Sequence, residues 1–290
     1  MLDMPVTNAP AIDTGSWSDF SRRSIRGPAG TLSVRCGGPD RGPTVIFTHS
    51  ILTSSAIWRR QAALLAGRGF RILCPDMRGH GKSEALPAPY TMDDLVDDTV
   101  AILNSFGIDR AHLVGVSQGG MVGFGLGVRH AERLDSLCII AARADAPPPF
   151  AAAWDDRIAL VAAQGRVDAL ATPTVERWFG ARFLDSHPGV VNELQACIRE
   201  TSPQGFIGCA RAIQGLDYLR GVPDIAAPTT LLVGELDTLL LQPMKDLLPR
   251  MRNARLHVID GAGHLPQVDR PETFDAQLLR HFSLSGAWHE

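Results

Sequence analysis

The chain lacks any CxxC pair. Its five cysteines, Cys36, Cys74, Cys138, Cys197 and Cys209, are scattered and odd in number. Neither a disulfide framework nor a zinc site is expected from such a pattern, and a reducing compartment fits it. There is no lysine- or arginine-rich run. The 28 basic and 31 acidic residues give a formal net charge of −3, which leaves no electrostatic footprint for a nucleic-acid partner. No stretch reaches the ~18–20 uninterrupted apolar residues needed to span a bilayer. The opening residues, MLDMPVTNAPAIDTGSW, carry neither a basic n-region nor an apolar h-region, so no signal peptide is expected. The expectation is a cytoplasmic protein with no membrane partner, whose residues 1–19 form a disordered or loosely packed tail.

What the chain does have is a core-forming composition, with 45% hydrophobic residues among 290. That length suits one doubly wound domain carrying an insertion. Short β-rich runs alternate with helical patterns, which argues for an α/β fold with a parallel sheet. Strands are expected at 20–25, 31–36, 44–48 (TVIFT), 71–74 (RILC), 111–116 (AHLVGV), 137–141 (LCIIA), 230–233 (TLLV) and 256–259 (LHVI). Thr91 is placed to cap a helix whose early acids suit the positive end of its dipole. Between about 146 and 225 the alternation stops. That stretch holds the run Pro147-Pro148-Pro149 and several helical patterns, but no convincing strand. An α/β core over 20–145 and 226–290, interrupted by a helical cap over 146–225, is the simplest organisation.

Three strand ends carry candidate chemistry. Gly115-Val116-Ser117-Gln118-Gly119 has the spacing G-x-S-x-G. It follows an apolar strand and opens a helix, where a nucleophilic serine must sit on a sharp turn. Glycines are needed on either side because side chains there would clash. A plain glycine-rich turn has the same local pattern, so the motif needs partners. A serine hydroxyl is a poor nucleophile without a base. His264, in Asp260-Gly-Ala-Gly-His264, follows the last strand. Asp237, in Gly234-Glu-Leu-Asp237, follows the TLLV strand and would orient the histidine. Glu235 is its nearest rival. All three fall at C-terminal strand ends, where sites gather in a parallel sheet. The chain order Ser117, Asp237, His264 matches the nucleophile–acid–base order of one hydrolase class. Backbone N–H donors for a tetrahedral intermediate are expected from Gln118 and from Ile51, in the loop after TVIFT.

These segments resemble the α/β-hydrolase superfamily, from about residue 20 to the final helix. The run Pro75-Asp76-Met77-Arg78-Gly79-His80-Gly81-Lys82-Ser83 is similar to that family's D-x-R-G-x-G-x-S turn. Within the superfamily the chain most resembles 3-oxoadipate enol-lactonases. The resemblance rests on HSILTSSAIW (49–58), GVSQGGMVGFGLGVRHAERL (115–134), WDDRIALVAAQG (154–165) and ERWFGARF (176–183). It implies a mostly parallel eight-stranded sheet with helices on both faces and a helical cap. Departures surround the oxyanion loop and the pocket mouth. His49-Ser50 stands where the superfamily commonly has His-Gly and the enol-lactonases Asn-Ser. Leu52 stands where the latter carry glycine, and the PPPF stretch is additional.

The resemblance also implies a substrate bearing a carboxylate. Arg143, just before the cap, is the first candidate to meet it, with Arg157 second, because arginine suits bidentate carboxylate recognition. A surface arginine paired with Asp145 or Asp155 is the competing reading for Arg143. Trp154 is the leading candidate for the pocket wall, ahead of Trp178, although tryptophans in a helical cap also serve as packing. The expected activity is hydrolysis of a small carboxylic ester or lactone through an acyl-enzyme, with no cofactor or metal. No feature specifies an oligomeric state. The same fold hosts C–C bond hydrolases, perhydrolases and cofactor-free oxygenases. Dehalogenases and epoxide hydrolases normally use an aspartate nucleophile, which Ser117 argues against. A non-catalytic small-molecule receptor is the reading from a different class, opposed by the complete Ser, Asp and His set.

Overall fold

The computed structural model describes residues 16–287. Eight strands form one sheet: β1 (Ser21–Arg26), β2 (Thr31–Gly37), β3 (Thr44–Thr48), β4 (Arg71–Pro75), β5 (Ala111–Val116), β6 (Leu134–Ile140), β7 (Thr229–Gly234) and β8 (Ala254–Ile259). Their order across the sheet is β1-β2-β4-β3-β5-β6-β7-β8. The β1–β2 and β2–β4 pairs are antiparallel and all others parallel. The central strands read as unbroken apolar runs because both of their faces are covered. Every residue of β3, β5 and β7 is buried, as parallel strands require.

Twelve α-helices complete the described residues. In the core these are α1 (Arg59–Ala66), α2 (Met92–Ser105) and α3 (Gln118–Arg129). Between β6 and β7 come α4 (Pro148–Ala152), α5 (Asp155–Gln164), α6 (Ala171–Trp178), α7 (Ala181–Ser186), α8 (Pro188–Arg199) and α9 (Pro203–Gln214). The core resumes with α10 (Leu241–Leu247), α11 (Pro266–Asp269) and α12 (Pro271–Leu284). The strand–helix alternation stops at β6. Among the described residues no strand forms before β7, and one isolated bridge pairs Asp145 with Asp217 where the insertion leaves and rejoins the core. Thr91 caps α2 in a reciprocal capping box with Asp94, satisfying end N–H groups that the helix itself cannot.

Two expectations shift. Most of the expected tail, residues 1–15, lies outside the described residues. At its end Trp17 packs rather than trails: its ring meets Phe20 edge-on at 4.9 Å and the Arg35 guanidinium lies 5.6 Å from it. Second, β6 begins at Leu134, three residues before the expected LCIIA run. The added stretch includes the polar Ser136, which is buried and hydrogen-bonded. Its hydroxyl lies 2.7 Å from His112 Nδ1 and 2.8 Å from His281 Nε2.

The topology fixes where a site can form. From β3 the chain steps to β4 on one side, then returns past β3 to β5 and continues in that direction. Right-handed crossovers therefore place α1 on one face and α2 and α3 on the other. Trp58, just before α1, packs on Phe274 of α12, which shares that first face. The loops leaving β3 and β5 diverge to opposite faces and open a crevice at their C-terminal ends. His49–Leu52 and Ser117 stand on its two sides.

Candidate active site

Ser117 joins β5 to α3 with φ 56° and ψ −118°, a strained conformation for a residue with a side chain. Its own N–H donates to the Ile140 carbonyl at 2.8 Å, which ties the turn to β6. The flanking glycines are required by close approach. A Cβ on Gly115 would lie 2.4 Å from the Gly119 carbonyl oxygen and 2.5 Å from Thr48 Oγ1. One on Gly119 would lie 2.2 Å from the Thr48 carbonyl oxygen. The sharp turn thus packs directly on β3. Gln118 opens α3, so its backbone N–H has no intrahelical acceptor and sits at the positive end of the helix dipole.

His264 and Asp237 meet across the loops after β8 and β7. His264 Nδ1 lies 2.6 Å from Asp237 Oδ2. The other carboxylate oxygen, Oδ1, accepts the Leu240 N–H at 3.2 Å. Burial works to raise the Asp237 carboxyl. The adjacent His264 and the N–H groups of Leu240 and Leu239 outweigh it and hold the carboxyl below its usual range. Glu235, the rival acid, is exposed and accepts the Gly261 N–H at 2.8 Å. It therefore braces the loop that carries His264 without touching the imidazole.

Two features around the histidine were not anticipated. Its backbone N–H donates to the Trp178 carbonyl at 2.7 Å, and the Trp178 ring lies stacked 6.2 Å from the imidazole. Asp269, buried in α11, accepts the Gly263 N–H at 2.7 Å. Burial pushes the Asp269 carboxyl up to about 6. Neither has a local signal: Trp178 sits in a helix remote in sequence, and Asp269 looks like a surface acid after a proline.

Ser117, His264 and Asp237 line one cavity of about 430 Å³. The loop after β3 contributes Ile51 and α3 contributes Met121, and the segment between β6 and β7 contributes Trp154, Trp178, Phe150, Arg157 and Arg177. Trp154 is buried, its ring 6.5 Å from both Phe150 and Phe206. Ile51 is buried in the loop after β3. Leu52 beside it has φ 64°, in the left-handed region that glycine adopts without cost.

Arg143 also lines the cavity, but its guanidinium is engaged. Nε donates to the Asp145 carbonyl oxygen at 2.6 Å, Nη2 lies 3.0 Å from Asp145 Oδ1, and the group stacks 4.5 Å from the Phe150 ring. Arg157 and Arg177 differ: neither has an ion-pair partner among the described residues. Arg157 lies half-buried over Trp154, 5.1 Å from its ring. Burial lowers it below the ordinary arginine value. Partial desolvation and the neighbouring Arg157 push Arg177 below the ordinary arginine value, against the pull of Asp237, although the side chain stays exposed and charged. Arg177 keeps accessible surface, as a side chain bordering a cleft does. Among the described residues no His, Cys, Asp or Glu cluster could hold a metal ion, and no helix is long and apolar enough to cross a membrane.

The chain is similar to known proteins along most of its length. It is 28% identical over 244 residues to 3-oxoadipate enol-lactonase 1 of Acinetobacter baylyi, covering 84% of this chain and 90% of that one. It is 30% identical over 240 residues to 3-oxoadipate enol-lactonase 2 of the same organism, covering 82% and 88%. Among solved structures, the enol-lactonase from Burkholderia xenovorans superposes with a TM-score of 0.85 at 26% identity, covering 90% of this chain and all of that one. A family model for the alpha/beta hydrolase fold matches residues 43–271. With its eight-stranded, mostly parallel sheet, the chain belongs to the α/β hydrolase fold family.

Proposed function

We propose that the protein hydrolyses a small carboxylic ester or lactone through an acyl-enzyme formed on Ser117. The observation that carries this reading is the 2.6 Å contact of His264 Nδ1 with Asp237 Oδ2, at the wall of the cavity that Ser117 also lines. A carboxylate accepting from Nδ1–H leaves Nε2 as the unprotonated base. Ser117 Oγ attacks the substrate carbonyl as His264 takes its proton. The Ile51 and Gln118 N–H groups receive the oxyanion. Collapse expels the alkoxide, which is protonated by His264 and, in a lactone, stays tethered to the acyl group. Water then attacks under the same base and releases the acid. Residues 146–225 act as a cap over the core formed by 20–145 and 226–290.

The acyl part of the substrate carries an anionic group in this reading. Arg143 was the expected contact, but Asp145 already occupies its guanidinium. The support lies with Arg157 and Arg177, two cavity arginines without an ion-pair partner among the described residues. Two neighbouring cations held in a cleft are stabilised by a ligand carboxylate between them. Trp154 supplies the adjoining apolar wall. The test is a panel of p-nitrophenyl acetate, γ-lactones and half-esters of dicarboxylic acids, run with the wild type and Ser117→Ala. Turnover lost in the variant supports the reading, and turnover retained removes it.

A further inference from the structure

The loop carrying Ile51 is held from beneath by a turn that takes no direct part in the reaction. Thr53 N–H donates to the Ser50 carbonyl at 3.2 Å, closing a turn with Ile51 and Leu52 at its centre. Leu52 sits at φ 64°. Positive φ at the third residue is the mark of a type II turn, which ordinarily requires glycine there. For a leucine that conformation is strained. Rotating the Ile51–Leu52 peptide would release that strain by giving a type I turn. Something must oppose the rotation.

The opposing group is His80. Its Nε2 lies 3.0 Å from the Leu52 N–H and accepts it, while Nδ1 lies 3.1 Å from the Arg78 carbonyl oxygen. A carbonyl can only accept, so Nδ1 carries the proton and Nε2 the lone pair. Arg78 is itself fixed: both oxygens of Asp98 receive its guanidinium, at 2.6 and 2.7 Å. The lock works in both directions. A rotated peptide would turn the Ile51 carbonyl toward the same lone pair, and two acceptors repel. Further bonds bind the loop to the turn. His49 Nε2 accepts the Met77 N–H at 2.8 Å, and Asp76 Oδ1 accepts the Ser55 N–H at 2.9 Å. Both imidazoles are fully buried, and burial pushes His80 down to about 3, so it stays neutral.

We propose that His80 is a positioning residue for oxyanion stabilisation: by accepting the Leu52 N–H it fixes the Ile51–Leu52 peptide, and so keeps the Ser50–Thr53 turn, whose first central residue supplies the Ile51 N–H, from shifting away from the carbonyl attacked by Ser117. This rests on the hydrolytic reading above.

The test compares two amides of equal polarity. In His80→Gln the side-chain oxygen reaches the place of Nε2 and can accept from Leu52. In His80→Asn the shorter amide reproduces only the Nδ1 donor. The readouts are kcat and KM for p-nitrophenyl acetate and the affinity for 1,1,1-trifluoro-3-phenylpropan-2-one, which forms a tetrahedral adduct on the serine. Loss of a whole oxyanion donor costs roughly 10²–10³ in rate. His80→Asn is therefore expected to lose about 10- to 100-fold in kcat and in ketone affinity, with KM changed less than about threefold. His80→Gln should stay within about threefold of wild type in all three. Adding Leu52→Gly to His80→Asn should restore much of the loss, because glycine holds positive φ unaided. Ketone affinity equal in the two folded amide variants overturns the inference. Should His80→Asn fail to fold, the other end of the same bond decides. Leu52→Pro removes the N–H and forbids positive φ, and should bind the ketone at least tenfold more weakly than Leu52→Gly; equal binding overturns the inference. Hydrolysis surviving in Ser117→Ala would instead remove the serine reading itself.

Discussion

The His264 backbone N–H donates to the Trp178 carbonyl at 2.7 Å, joining the loop after the last strand to the C-terminal turn of α6 in the insertion. The inserted helices therefore do more than roof the cavity. They supply an acceptor that fixes the backbone of the proposed base, while Asp237 fixes its side chain. Rigid support of this kind is what a group that must shuttle a proton over a fraction of an ångström needs.

Ser117→Ala and His264→Ala should each lose about 10⁴–10⁶ in kcat on p-nitrophenyl esters while unfolding at nearly the wild-type temperature. The members of such a set act as a unit, so the double variant should be little worse than either single one. Steady-state kinetics with thermal unfolding checks this, and single losses below about tenfold would contradict the assignment.

Asp237→Asn should cost roughly 10⁴ in kcat, because an amide at that position favours the wrong imidazole tautomer. Glu235→Gln should cost far less, since Glu235 receives only the Gly261 N–H and its amide oxygen can still accept. A pH–rate profile of both variants reads the distinction. A larger defect in Glu235→Gln would reverse the roles.

The parts of this arrangement visible in sequence are those that follow from chain-local rules. Ser117, Asp237 and His264 each lie in the turn or loop that follows a short apolar run, so strand periodicity places all three at C-terminal strand ends. The rest depends on contacts between distant segments. Whether Arg143 is free or paired turns on Asp145, two residues away, and sequence allowed both. That Arg157 and Arg177 approach one another depends on how α5 and α6 pack. His80 is one of nine histidines, and only its burial beneath the loop after β3 sets it apart. The early start of β6 is of the same kind: Ser136 is satisfied by His112 and His281, partners on another strand and on the last helix that no local pattern encodes.

Asp269 should make stability depend on pH in the direction opposite to most carboxylates. Its folded value, about 6, lies above the ordinary 3.8. The folded chain therefore binds this proton more tightly than the unfolded one. The associated stability is fully present below about pH 4 and is lost as pH rises through 6. The shift corresponds to about 3 kcal/mol at most. Asp269→Asn can still accept the Gly263 N–H but cannot ionise. Its unfolding temperature relative to wild type should therefore climb between pH 4 and 7. A relative value flat across that range would mean that Asp269 ionises normally in the folded chain.

Arg177 and Arg157 should govern discrimination between anionic and neutral substrates, with Arg143 largely silent. Arg143 already spends its donors on Asp145, so Arg143→Met removes little that a ligand uses. Arg177→Met and Arg157→Met each remove a cation that has no carboxylate paired with it among the described residues. A charge-assisted contact contributes about 1.5–3 kcal/mol, or roughly 10- to 150-fold. The lower end applies to Arg177, whose accessible surface admits screening. A carboxylate remote from the reacting carbonyl is bound equally in ground and transition states, so the effect should fall on KM rather than kcat. The comparison is p-nitrophenyl hemisuccinate against p-nitrophenyl butyrate, similar in size and differing in charge. KM for the hemisuccinate should rise in both variants while the butyrate changes less than about twofold. Equal effects on both esters would make these arginines structural, and a larger effect from Arg143→Met would return the anion contact to the position before the insertion.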